Sequence, residues 1–130
     1  MDGESILGSI VLILCGFGCG GLFSWIGSWA ESRKDPMHFW TGSVVDPKTI
    51  TNIPAYNKAN ARMWRRYAVP YWLTGICGFI SFLDARIFIL VGCWLIGLAS
   101  TVGIIWLIWA YKRIENNIKY NTLDKMYKFC

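Results

Sequence analysis

Three stretches of this chain carry no charged residue: Ser5 to Ala30, Tyr67 to Leu83 and Ile87 to Tyr111. That pattern limits the fold more than any motif does. A helix rises about 1.5 Å per residue, so roughly 20 apolar residues cross a hydrocarbon core of about 30 Å. The first and third stretches are long enough to cross with some tilt. The middle one has 17 residues and is short. It can cross if Trp64 and Arg66 at one end and Asp84 and Arg86 at the other sit at the interfaces and snorkel. The expected fold is therefore all-α: a three-helix transmembrane bundle forming one integral membrane domain over residues 1–130. Its spans are expected at about 5–30, 67–83 and 87–111, its loop at 31–66 and its tail at 112–130. The acidic start Met-Asp-Gly-Glu and the lack of a clean small-x-small site make the first stretch read as a retained span, not a cleaved leader.

Charge placement predicts orientation. The chain has 13 Lys and Arg residues. Seven lie between the first two spans (Arg33, Lys34, Lys48, Lys58, Arg62, Arg65, Arg66) and five follow the third (Lys112, Arg113, Lys119, Lys125, Lys128). Only Arg86 lies between the second and third. Three spans put the loop and the tail on one side, which the positive-inside rule makes the cytoplasm of a cell membrane. The N-terminus and the Leu83–Arg86 turn then face outside. The net charge of +5 reads as attraction to anionic lipids at the cytoplasmic face. No recognition motif accompanies it, so nucleic acid is not an expected partner. Of the eight tryptophans only Trp94 falls outside the cytoplasmic half, an aromatic belt on one leaflet.

Small residues mark packing faces. Gly16, Gly20, Ser24 and Ser28 recur every fourth position in the first span. Cys93, Gly97 and Thr101 do so in the third, beside the pair Ala99 and Gly103. In lipid, helices associate through such faces because there is little hydrophobic drive between them. The simplest expectation pairs the first span with the third; self-association or a membrane-protein partner is the sharper one. The short turn at Leu83–Arg86 requires a tight antiparallel hairpin. Pro70 should bend the second span near the membrane surface.

The polar segment between the first two spans is patterned. Phe39 and Trp40 suit headgroup depth, and Asp46-Pro47-Lys48 is a turn. Thr51 or Asn52 can cap a helix with Pro54 in its first turn. Tyr56, Asn60, Met63 and Tyr67 then share a face, flanked by Asn57, Ala61 and Trp64. This predicts a cytoplasmic amphipathic helix running directly into the second span. Asn57 and Asn60 could bond the turn around Trp40–Gly42, with Tyr56 and Trp64 packing it onto the span ends. Ile114, Ile118, Leu123, Met126, Tyr127 and Cys130 continue a helical pattern in the tail, which could pack on the 54–66 helix or lie on lipid.

The order Phe39-Trp40-x-Gly42, Ile50, Tyr56-Asn57-x-x-Asn60, Met63-Trp64, Tyr67 resembles small multi-pass membrane proteins of Clostridia-type Gram-positive bacteria. More distantly it resembles Sdp-type immunity membrane proteins. The resemblance spans roughly residues 37–75. It departs at the turn, where Gly42-Ser43-Val44-Val45-Asp46-Pro47 replaces Gly-Ile-Arg-Thr-Pro. It implies Trp40, Gly42, Tyr56, Asn57, Asn60 and Trp64 as signature or binding residues.

Catalytic parts are not evident. There is no nucleophile elbow, P-loop, paired carboxylates or ligand-spaced His and Cys set. His38 is the single histidine, and the five cysteines, Cys15, Cys19, Cys77, Cys93 and Cys130, read as packing residues. No charge interrupts the spans, as ion-coupled transport would require. The expected function is a non-catalytic binding, immunity or accessory-subunit role without cofactor or metal. The alternative is a homo-oligomeric pore or membrane-disrupting effector built on the Gly16–Ser28 face.

Overall fold

A computed structural model describes residues 2–37, 47–50 and 52–128, with residue 49 and residues 119–128 described by their backbone alone. The described chain is three α-helices: α1 (Gly3–Ser32), α2 (Ile53–Ile80) and α3 (Ala85–Lys128), with one 3-10 turn at Pro47–Thr49. The all-α, three-helix expectation holds. Two segments, Gly3–Ser32 and Ala85–Ile118, are long and apolar enough to cross a membrane. Both segments leave large hydrophobic side chains exposed, among them Leu7, Leu14, Leu90 and Ile105.

Helix starts follow from local chemistry. The Asp2 carboxylate accepts the Ser5 N–H at 2.9 Å, and the Asn52 side chain accepts the Ala55 N–H at 3.1 Å. Each satisfies one of the donors a helix start leaves unpaired. Asn52, not Thr51, therefore caps α2, with proline in its first turn. The amphipathic segment and the second apolar stretch form one helix, as the pattern predicts. The expected bend at Pro70 does not interrupt α2; the Thr74 hydroxyl donates to the Pro70 carbonyl at 2.9 Å. The chain reverses over residues 81–84, and α3 then continues unbroken into the tail.

The partner of the small-residue ladder differs from expectation. Gly16 and Gly20 pack on α2, not on α3. A Cβ on Gly16 would collide with the Gly75 backbone nitrogen, and one on Gly20 would lie 3.1 Å from the Trp72 ring. Farther along, one on Gly78 would reach 2.9 Å from the Ile13 nitrogen. Glycine on both helices lets the two backbones touch. Ser24 continues the ladder by accepting the Trp72 indole N–H at 3.0 Å. Ser28 is exposed and bonds its own helix at the Ser24 carbonyl. α1 meets α3 near the opposite end, where Gly8 faces Ile89 and Gly92 faces Leu12.

On α3 the face toward α2 is Ala99, Gly103 and Leu107. Tyr67 sits over Gly103 and donates to the Ala99 carbonyl at 3.3 Å. Gly97 has nothing within 4 Å of a built Cβ, and Cys93 is exposed. Both were expected to pack. They lie instead in an open groove of about 400 Å³ with Leu90, Trp94, Leu98 and Thr101. Gly97 precedes Ala99 by two residues, about 200° around a helix, so one face excludes the other.

Candidate functional site: a polar collar at the foot of the bundle

The amphipathic face of α2 becomes the core of the α1 C-terminal end. Tyr56, Asn57, Asn60, Ala61, Met63 and Tyr67 are all buried. Ala61 packs with Ala30 and Met37, and Trp64 and Ile26 close this small cluster. Trp64 also stacks on Phe23, with ring centroids 5.8 Å apart. Phe23 in turn meets Tyr67 at 4.9 Å and Tyr71 at 5.1 Å. The Tyr67 and Tyr71 hydroxyls are 3.0 Å apart, so an aromatic column rises from the collar between the helices.

Asn57 is the polar centre. It is fully buried. Its Oδ1 accepts the Met37 N–H at 2.9 Å, and its Nδ2 donates to the Arg33 carbonyl at 3.1 Å and to the Asp35 carbonyl at 2.9 Å. The chain leaving α1 has no helical partner for these groups. A buried backbone group left unpaired costs about 1–3 kcal/mol, so one side chain satisfies three. Tyr56 adds a second tie. Its hydroxyl lies 3.4 Å from the Met37 carbonyl and 3.0 Å from the Tyr111 hydroxyl. Its one proton serves one acceptor at a time. Burial first, then the Tyr111 hydroxyl, pushes the Tyr56 phenol well above its ordinary value.

The other predicted site residues fall as follows. Asn60 is buried, but its amide donates to the Tyr56 carbonyl of its own helix at 3.0 Å. Asn57 binds residues 33–37; the turn at Trp40–Gly42, where its contact was expected, lies outside the described residues. Trp40, Gly42 and His38 lie outside the described residues, as does Cys130. On the tail, Tyr111 and Ile114 pack against the α2 face that carries Met63 and Tyr67. At the rim, Arg65 pairs with Glu31 across the helix pair, and the Arg33 guanidinium sits 4.5 Å from the Trp29 ring centroid.

Several residues that hold the collar and the helix pair are absent from the sequence-derived set. Gly75 and Gly78, three apart on α2, complement Gly16 and Ile13. Ser81 and Ser9 hydrogen-bond at 2.6 Å near the far end of the same helix pair. Tyr71 and Tyr111 complete the hydroxyl contacts. The Gly75-x-x-Gly78 spacing and the Tyr67/Tyr71 repeat carried the signal. Among the described residues no group of three His, Cys, Asp or Glu side chains comes together. No family model, curated protein or solved structure matches the chain.

Proposed function

We propose that this chain is a three-span cell-membrane protein with a non-catalytic recognition role, of the protective, immunity-like or accessory-subunit kind. The observation that carries the reading is the saturation of Asn57. Its acceptor and both donors are used on the backbone of residues 33–37. The chain leaving α1 is thereby held in one shape with no reactive group at its centre. A preorganised surface lowers the ordering cost of binding a partner, whereas acyl or phosphoryl chemistry needs a nucleophile and a base within reach.

Depth supports three spans. α2 is tied to α1 at both ends, by Asn57 near Arg33 and by Ser81 at Ser9. It is tied to α3 by Tyr56 at Tyr111 and Tyr67 at Ala99. If α1 and α3 cross the bilayer, α2 lies at the same depth. Its exposed Val69, Trp72, Leu73, Ile76 and Phe79 then face lipid. The distribution of Lys and Arg favours a collar and tail in the cytoplasm, with the N-terminus and the 83–86 turn outside. Anionic lipids lie at the collar side.

The pore alternative loses its main motive, because Gly16 and Gly20 are occupied by α2 of the same chain. The test is controlled expression with growth and membrane potential recorded, with the neighbouring genes present and then absent. Harmless expression that shields cells from a neighbouring product, or co-purification with a membrane partner, is the expected result. Depolarisation by this chain alone would overturn the reading.

A further inference from the structure

Beside the collar, sharing Met63 with it, α2 and α3 form a groove of about 390 Å³. α2 lines it with Arg62, Met63 and Arg66, and α3 lines it with Trp106, Trp109 and Arg113. Both sets follow helical spacing, so each helix presents a single stripe. All three arginines are exposed. Among the described residues none of their guanidinium groups forms an ion pair, whereas neighbouring Arg65 is matched to Glu31. The Arg113 guanidinium lies 5.2 Å from the Trp109 ring centroid.

An apolar stripe continues from this basic end along α3. Leu98, Val102, Ile105 and Trp109 recur at helical spacing and are 51%, 59%, 70% and 54% exposed. Eleven residues of helix rise about 16 Å, about half of the hydrocarbon thickness. Three cations at the head of an apolar track one leaflet long match a phosphodiester with an acyl chain. Guanidinium groups suit phosphate because their forked donors engage two oxygens at once. A free phosphate would leave the track uncovered.

We propose that the Arg62–Arg66–Arg113 groove binds the phosphate of an anionic phospholipid, with an acyl chain along Leu98–Trp109. The site rests on the membrane-spanning reading and deepens it by naming the ligand class and its residues. It turns a general attraction of basic residues to anionic lipid into one seat between two helices.

The test is native mass spectrometry of the full chain released from detergent after incubation with phosphatidylglycerol or phosphatidylcholine. One phosphatidylglycerol should be retained in preference to phosphatidylcholine. Each arginine near an anionic lipid contributes about a fivefold factor. Arg113→Gln should therefore weaken retention about fivefold, and the triple variant Arg62→Gln/Arg66→Gln/Arg113→Gln on the order of a hundredfold. Arg65→Gln, outside the groove, should leave it unchanged. Circular dichroism checks that each variant keeps its helices, and the exposed single variant carries the test if the triple variant does not fold. Equal retention of the two lipids, or loss in Arg65→Gln matching that in Arg113→Gln, overturns the site. Displacement of phosphatidylglycerol by millimolar inorganic phosphate would make it a free-anion site and overturn the lipid assignment. Alkaline carbonate extraction of membranes separates the levels: release of the chain sinks the spanning reading and the site together. Retention in the membrane without phosphatidylglycerol preference sinks the site alone.

Discussion

Asn57 and Asn60 are three positions apart, equally buried and of one residue type, yet they do different work. Asn57 ties three backbone groups that lie 20 to 24 residues away in the chain, while the amide of Asn60 returns to its own helix. Asn57→Ala should therefore cost about 3 kcal/mol of stability and Asn60→Ala about 1 kcal/mol. Thermal unfolding in micelles, followed by a thiol-reactive dye on the half-buried Cys15, Cys19 and Cys77, measures both. Equal losses would refute the assignment of the lock to Asn57. Tyr56 gives a pH dependence. Its phenol is raised from 10.0 by burial and by Tyr111, so folding favours the protonated form. That contribution is complete below pH 10 and is lost as pH rises toward the folded value. The unfolding midpoint should hold up to about pH 10 and fall as pH rises beyond it, and Tyr56→Phe should flatten that alkaline fall while costing about 1 kcal/mol at neutral pH. Much of this was legible in the sequence, because Tyr56, Asn60, Met63 and Tyr67 recur at helical spacing and a polar side chain on such a face must find a partner. Which backbone groups it finds was not, because residues 33–37 carry no pattern that announces an unpaired turn.

At the scale of helices, the contact between α1 and α2 depends on two glycine sets meeting. Gly16→Ala places a methyl against the backbone of Gly75, which cannot rotate away as a side chain could. Overpacking of this kind costs about 1–3 kcal/mol. Gly18, two residues on, has nothing within 4 Å of a built Cβ. Gly18→Ala meets no clash and should equal the parent or exceed it by up to about 1 kcal/mol, the helix propensity gained over glycine. The same dye-monitored unfolding reads the pair, and a Gly16→Ala variant as stable as Gly18→Ala would mean the helices do not approach this closely. The four-residue spacing made the face legible, but spacing names a face and not its occupant. Gly16 and Gly97 are equivalent in that respect. One meets the glycines of α2, and the other looks outward because the Tyr67 ring and hydroxyl select Ala99 and Gly103 instead. The second stretch is short, and its length says nothing of Gly75 and Gly78, the residues that let it pack.

For the whole molecule the deciding question is whether α2 crosses. Its uncharged part is short, and the segments long and apolar enough by themselves are Gly3–Ser32 and Ala85–Ile118. The ties of Asn57 and Ser81 to α1 and of Tyr56 and Tyr67 to α3 hold α2 beside both of them and favour its crossing. A chain with only α1 and α3 in the bilayer would place residues 31–66 and the 83–86 turn in one compartment; three spans place them in opposite ones. Asp84, Lys34 and Lys58 are exposed and serve as reporters in a background with the native cysteines replaced. With an impermeant maleimide on intact cells, Asp84→Cys should label at once, and Lys34→Cys and Lys58→Cys only after the membrane is opened. Labelling of all three only after opening would mean that α2 stays on the cytoplasmic side and that the Ser9–Ser81 contact does not form in the membrane. The reverse pattern, with both lysine positions reacting from outside and Asp84→Cys protected, would keep the bundle but invert it. Twelve of the 13 basic residues would then have been translocated, against the bias that short basic loops impose on insertion.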